Sequence, residues 1–454
     1  MTNFPARGIL SRLTPVPVAG ISETAAAILL GLAVPAVILG PVGMALFLGP
    51  ALLILLWRAL SSDGDRRALA AVLRQDLRSG TWRAAALLLL WWLAASLFSE
   101  TPGNSLTVWL RVTLLLLLIR IAVLRLSARP DLLRTGLRTL IAAAALTLVY
   151  ILAAVLGPKA VLTPLAALRN VPYLSLPGAF TTFFSALACV IPVLVWAGWR
   201  ERGFWRWLAL AGSIAALLLI PGTIRQGTFI SASAVAGLAG GLAALALWML
   251  LRRWPATLRR VFLAAAAIAV TACGIFYLEQ LPEPRGDRID LRHAAMPIPD
   301  AHRQVIWAYT YHRLDLHPVL GVGPDASNLT PDAGLQVDFI TSGQTLRARL
   351  VASHPHNWVL EVITDSGFPG LLFLLLALGL FLRRHLKSTL PSAHAGPPES
   401  AAAGWAILGL SAVFWTCALA NFSIWAAWWH ATWLTLLLFP LAVLQNAPAT
   451  APRS

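Results

Sequence analysis

Uncharged apolar runs recur along the chain, most of them close to the ~20 residues that carry a helix across a bilayer. They lie near 22–39, 41–57, 83–99, 104–124, 138–157, 175–197, 205–221, 228–250, 261–278, 366–382, 403–421 and 425–444. This pattern predicts about 12 transmembrane helices, the first two short and joined at Gly40-Pro41 as a tilted hairpin. Residues 279–354 form the one long departure from the apolar pattern, and loops beyond ~15 residues are usually functional or disordered. The expected fold is an all-α polytopic membrane protein. Spans one to nine fill residues 1–278, one large outer loop covers 279–354, and spans ten to twelve fill 355–454. Within the loop, Asp300 is expected to cap a helix near 300–314, where Val305, Ile306 and Tyr309 recur at helical spacing. Trp307 and Tyr311 give that helix an aromatic surface, and His317-Pro318 with Gly321 and Gly323 end it in a turn.

Composition narrows the class. Of 454 residues, 58% are hydrophobic and 12% charged, against about 45–50% and about 25% in globular domains. A soluble enzyme and a disordered chain are excluded. All three cysteines lie in apolar runs, so no disulfide staples the loop. The net charge of +16 suggests a nucleic-acid binder until its distribution is read. Most basic residues fall in alternate connections: Arg58 to Arg83, Arg125 to Arg138, Arg200 to Arg206, Arg252 to Arg260 and Arg383 to Lys387. By the positive-inside rule these are cytoplasmic, as are both termini, and the large loop is outside. No cleavage site follows the first run, so no removable signal is expected.

A few cations break the rule. Lys159, Arg169 and Arg225 face outside, as do seven more in the large loop, which suggests an anionic ligand there. Arg111 lies ~10 Å inside the fourth span and needs a partner or a wet cavity. It is a candidate for a lipid-diphosphate cleft, with a structural pair as the equal alternative. Lys159 and Arg169 divide evenly between ligand steering and lipid-headgroup contact. Arg225 divides between phosphate binding and snorkelling, and Arg303 between a site and a surface pair with Asp300.

The return from the loop reads HPHNWVLEVITDSGFPGLLF. Asn357, Glu361 and Asp365 stand at i, i+4 and i+8, a polar stripe expected at the outer headgroup level. His356 divides between a base and a solvated histidine beside a helix cap. No phosphate-binding GxxxxGK[ST] is present, so an outer-face transferase needs a donor delivered already activated. A polyprenyl diphosphate supplies a leaving group and an anionic headgroup for arginines. Metal assistance is disfavoured, because Glu100 is the lone carboxylate of the outer loops before 279 and the six loop histidines lack HExxH spacing.

These residues resemble a known family. HPHNWVLEVITDSGFPGLLF is similar to the signature of the O-antigen ligase and polymerase superfamily, RQVIWAYTYHRLDLHPVLGVGPD to its second marker, and GTIRQGTFISAS to its outer arginine segment. The resemblance implies a GT-C-like glycosyltransferase, metal-independent, inverting and without a cofactor. It implies a glycan moved from undecaprenyl diphosphate to lipid A–core on the periplasmic side of the bacterial inner membrane. His356 would be the general base, Arg303 and Arg225 would hold the diphosphate, and Asn357 and Glu361 would orient. His317, Gly321 and Gly323 belong to the second marker and are carried as substrate-side residues. An O-antigen polymerase and a protein O-oligosaccharyltransferase share this chemistry. A lipid-anion flippase is the reading from another class.

Overall fold

The computed structural model describes residues 20–170, 176–225, 231–281, 288–290, 301–341, 344–351, 353–390, 398–419 and 421–446. Eleven helices among them are long and apolar enough to cross a membrane, and Ile21–Ala33 is a shorter apolar one. In chain order the membrane helices are α1 Ile21–Ala33, α2 Pro41–Leu60, α4 Gly80–Leu97, α5 Pro102–Ala128, α6 Pro130–Leu156, α8 Leu176–Arg200, α9 Phe204–Arg225, α10 Ala232–Leu251, α11 Ala256–Glu279, α13 Trp358–Leu386, α14 Pro398–Ala418 and α15 Ala427–Asn446. Two short helices, α3 Asp63–Asp76 and α7 Thr163–Leu168, lie between spans. Each expected span has its helix. The first is completed by a 3-10 turn, Pro35–Leu39, and Gly40 (φ 93°) reverses the chain into α2.

The arginines assigned to one side gather at one end of the bundle. Buried Glu23 pairs with Arg58, Arg125 and Arg129, while Arg120 pairs with Asp76 at 2.7 Å. That end lies some 40 Å along α5 from Pro102, beside which Asn104 donates to the backbone of Asp325 in the large loop. Small residues let helices close up elsewhere: a Cβ at Gly237 or Gly241 of α10 would overlap Cys417 or Val413 of α14. By contrast, α11 has no buried residue and turns its apolar surface outward. Its far end meets the loop through Tyr277, whose ring packs edge-on against Trp307.

The loop contains α12, Ala301–Tyr311, close to its expected position; Asp300, its expected cap, lies outside the described residues. It also holds a small sheet that the sequence pattern did not suggest: β1 Arg288–Asp290, β2 Gln336–Thr341 and β3 Gln344–Arg349. The strand β2 runs parallel to β1 and antiparallel to β3, with Val337 opposite Ala348. Val305, Ile306 and Tyr309 of α12 pack with Ala333, Val337, Leu350 and Val351 as a second, smaller core.

Helix α13 is broken at Gly367, which sits at φ 73° and ψ 176°. A broken helix at membrane depth needs partners for its freed backbone groups, and the turn at 317–323 supplies them. The Val322 amide donates to Thr364 O and the Gly323 amide to Asp365 O, each at 2.9 Å, while the Phe368 amide donates to Pro318 O. Trp91 Nε1 donates to the Ser366 carbonyl at 2.8 Å. A Cβ at Gly321 would run into the backbone of Asp365, and one at Gly367 into Val319 O.

Candidate active site

One residue between α14 and α15 joins the elements at the loop end of the bundle. The Asn421 backbone carbonyl lies 2.7 Å from His354 Nε2 and 2.7 Å from His356 Nδ1. A carbonyl has two lone pairs and no proton, so both ring nitrogens donate. The tautomers follow. His354 carries its proton on Nε2 and accepts at Nδ1 from Ser353 Oγ, 2.9 Å away. His356 carries its proton on Nδ1, which makes Nε2 the basic nitrogen of the neutral ring. The two rings lie 4.0 Å apart between centroids. Burial lowers the His354 pKa from its ordinary 6.5, the Arg303 charge lowers it further, and the Asn421 carbonyl opposes both by raising it.

The side chain of Asn421 extends the cluster. Its Oδ1 accepts from Arg303 Nη2 at 3.3 Å, and its Nδ2 donates to Ser233 Oγ at 3.1 Å. Ser233 belongs to a buried hydroxyl group with Ser231 and Ser185. His356 and Arg303, two of the three expected catalytic residues, thus share Asn421. The third, Arg225, is the last residue of α9; its side chain lies outside the described residues, and Ser231 and Ser233 follow it closely in the chain.

Local structure explains how the histidines reach that carbonyl. His356 is held at φ 56°, a left-handed conformation that costs a bulky residue ~1–2 kcal/mol. Asn357 then caps α13, its Oδ1 accepting from the Val359 and Leu360 amides. Trp307 Nε1 donates to Pro355 O at 2.9 Å and ties the histidine segment to α12.

The polar stripe that follows is turned into the protein. Glu361 and Asp365 are 1% and 0% exposed. Glu361 accepts from Ser423 Oγ at 2.6 Å and from the Ile424 amide at 2.8 Å. Asp365 accepts from Trp425 Nε1 at 2.6 Å and from the Ser327 amide at 3.1 Å. Both carboxylates are turned toward the 421–425 connection and the loop. They hold the 423–425 and 325–327 segments in place.

The other candidates divide. Arg111 Nη2 donates to the Trp425 carbonyl at 2.8 Å, which favours the structural reading. Arg169 lies beside Gly40 in the first hairpin. Lys159 opens a 3-10 turn, its side chain outside the described residues. His317 is half exposed, 3.9 Å from Glu100. Gly321 and Gly323 make the turn that plugs the broken helix. Among the described residues no three histidine, cysteine or carboxylate side chains stand together so as to hold a metal ion.

Sequence reading missed Asn421 and Ser423. Their signal was slight: a polar Asn-Phe-Ser interrupting two apolar runs with almost no connection between them. His354, which the sequence offers only as a poor metal ligand, shares the Asn421 carbonyl with His356.

Comparison with known proteins gives one family. Residues 228–375 match the family model described as O-Antigen ligase. The match begins just before α10, includes the large loop and ends within α13, so it takes in Ser233, Arg303, His354 and His356. No curated protein matches the chain.

Proposed function

We propose, for a chain whose residues 228–375 match the O-antigen ligase family model, transfer of a polysaccharide from undecaprenyl diphosphate to lipid A–core, with inversion and without a metal. The single observation that carries this reading is the pair of side chains on Asn421, an imidazole with its basic nitrogen set and a guanidinium beside it.

In this mechanism His356 Nε2 accepts the proton of the acceptor hydroxyl. A neutral imidazole suits the task because its ordinary pKa of about 6.5 lies near working pH. The hydroxyl oxygen attacks the anomeric carbon of the donor as the bond to the diphosphate oxygen breaks. The electron pair leaves on that oxygen, and the configuration inverts. Arg303, with Arg225, binds the diphosphate and offsets its growing charge. Asn421 holds both partners, and Glu361 holds the connection just after it through Ser423 and Ile424.

The cation distribution supports a site on the periplasmic side of the inner membrane, with both termini cytoplasmic. Transfer assays with purified protein, lipid-linked glycan and each acceptor test the assignment. Ligase activity requires lipid A–core. Lengthening of the lipid-linked chain without it would reassign the protein as a polymerase, and transfer to an exported peptide as an oligosaccharyltransferase. Movement of lipid-linked glycan across vesicles with no transfer would make it a flippase.

A further inference from the structure

A second recess opens on the loop side, lined by residues with no part in the chemistry above. It encloses about 100 Å³ between α12, the 316–322 turn and α13, with Glu100, Tyr309, Arg313, His317, Thr330 and Thr364 on its walls. That is smaller than the ~300–1,000 Å³ of drug-sized ligand sites, room for several water molecules or one small hydroxylated unit. Arg303 and Thr310 are seven residues apart on α12 and share one face, so the recess lies ~10 Å along the helix from the Arg303 position. Helix α13 begins at Trp358, two residues after His356, and carries Thr364 on the recess wall. Both helices therefore run from the reacting cluster to the recess.

The lining specifies a kind of ligand. Arg313 pairs with Asp332 and lies over the Tyr309 ring, 4.4 Å from its centroid. His317 faces Glu100 at 3.9 Å. The charges are already matched inside the recess, so an incoming phosphate finds no uncompensated cation. What the recess offers is hydroxyls, one carboxylate and an aromatic ring. The Tyr309 hydroxyl is buried beside Thr330 without a well-formed hydrogen bond, and burying such a group is costly unless a ligand engages it.

We propose that this recess is a saccharide subsite, binding an uncharged, hydroxyl-rich sugar unit of the glycan away from the reacting one. The inference rests on the transferase reading for its ligand, and the site recognises the sugar through Tyr309, Glu100 and the threonines. The same chemistry fits a sugar of the donor or of the acceptor core. Its use is to anchor a long, mobile glycan so that the reacting unit dwells at His356.

Kinetics and direct binding with the full-length protein in lipid nanodiscs test it. Tyr309→Phe removes one hydroxyl and Glu100→Gln one charge, and neither empties the core. Loss of one hydrogen bond to sugar corresponds to an increase of about fivefold in KM. A rise for the donor assigns the sugar to the donor, and a rise for the acceptor to the acceptor core. The second measurement uses saturation-transfer NMR with the free oligosaccharides released from the two lipid substrates. Contact with the wild-type protein, weakened in Tyr309→Phe, is expected even in a His356→Asn background without transfer. Unchanged KM values and equal oligosaccharide binding in both variants would overturn the subsite and leave the transferase standing. Transfer that survives His356→Asn would overturn the transferase, while the binding measurement would still decide the subsite.

Discussion

His356 donates its Nδ1 proton to the backbone carbonyl of Asn421 across 2.7 Å. A main-chain oxygen cannot change protonation state, so this bond fixes the tautomer as long as the 421–425 connection keeps its place. The free ring nitrogen of His356 is therefore defined by a residue more than sixty positions away in sequence.

Replacing His356 by Asn separates the bond from the base. The shorter amide can still donate to Asn421 but has no basic nitrogen. Transfer should fall by about 10²–10⁴-fold, with donor binding and melting temperature close to wild type. A variant that retains turnover rules out the base assignment.

Arg303→Lys keeps the charge and loses the planar fork. Affinity for the lipid diphosphate should weaken by about tenfold, roughly 1.4 kcal/mol, as measured by titration of the lipid-linked donor. Equal affinity would mean that Arg303 serves Asn421 alone.

Glu361→Leu removes the acceptor of two buried donors, Ser423 Oγ and the Ile424 amide, and leaves both mismatched with an apolar side chain. The mismatch should cost about 1–3 kcal/mol in thermal unfolding and lower kcat by displacing Asn421. Ser423→Ala, which keeps the Ile424 bond, should show the smaller loss. The reverse order would contradict this account of the clamp.

The His354 pKa is lowered from 6.5 by burial, so its neutral form is the one the folded loop prefers. Such a group contributes stability that is present above the unfolded value of about 6.5 and is lost as pH falls through the lower folded value. Hydrogen exchange over 353–358 should therefore accelerate as pH is taken below about 6.5, beyond the change in intrinsic rate. His354→Gln, which can still donate to Asn421, should lose that extra component. An identical pH response in the variant would remove His354 as its source.

Gly323→Ala places a Cβ on Ser99 Oγ at φ 110°. The strain and overlap together should cost at least ~2 kcal/mol, read as a lower melting temperature in detergent. Gly334, with open space around its missing Cβ, is the control. Its alanine variant should match wild type.

Much of this protein was legible from the amino-acid order alone, because hydrophobic length and arginine placement act locally. A span must be apolar for its whole length, and each cation must find water or a partner wherever it falls. Those demands determined the helices, their order and the single large loop, while a family resemblance in the motifs pointed to His356 and Arg303, on which the chemistry is proposed to turn. Tertiary structure decided the rest. That Glu361 and Asp365 point into protein, that Gly321 and Gly323 fill a gap in a broken helix, and that Asn421 gathers both histidines depend on backbone groups meeting across long separations. A hydrogen bond to a main-chain carbonyl leaves no trace in residue type, since every residue carries the same carbonyl, and only folding determines which one arrives.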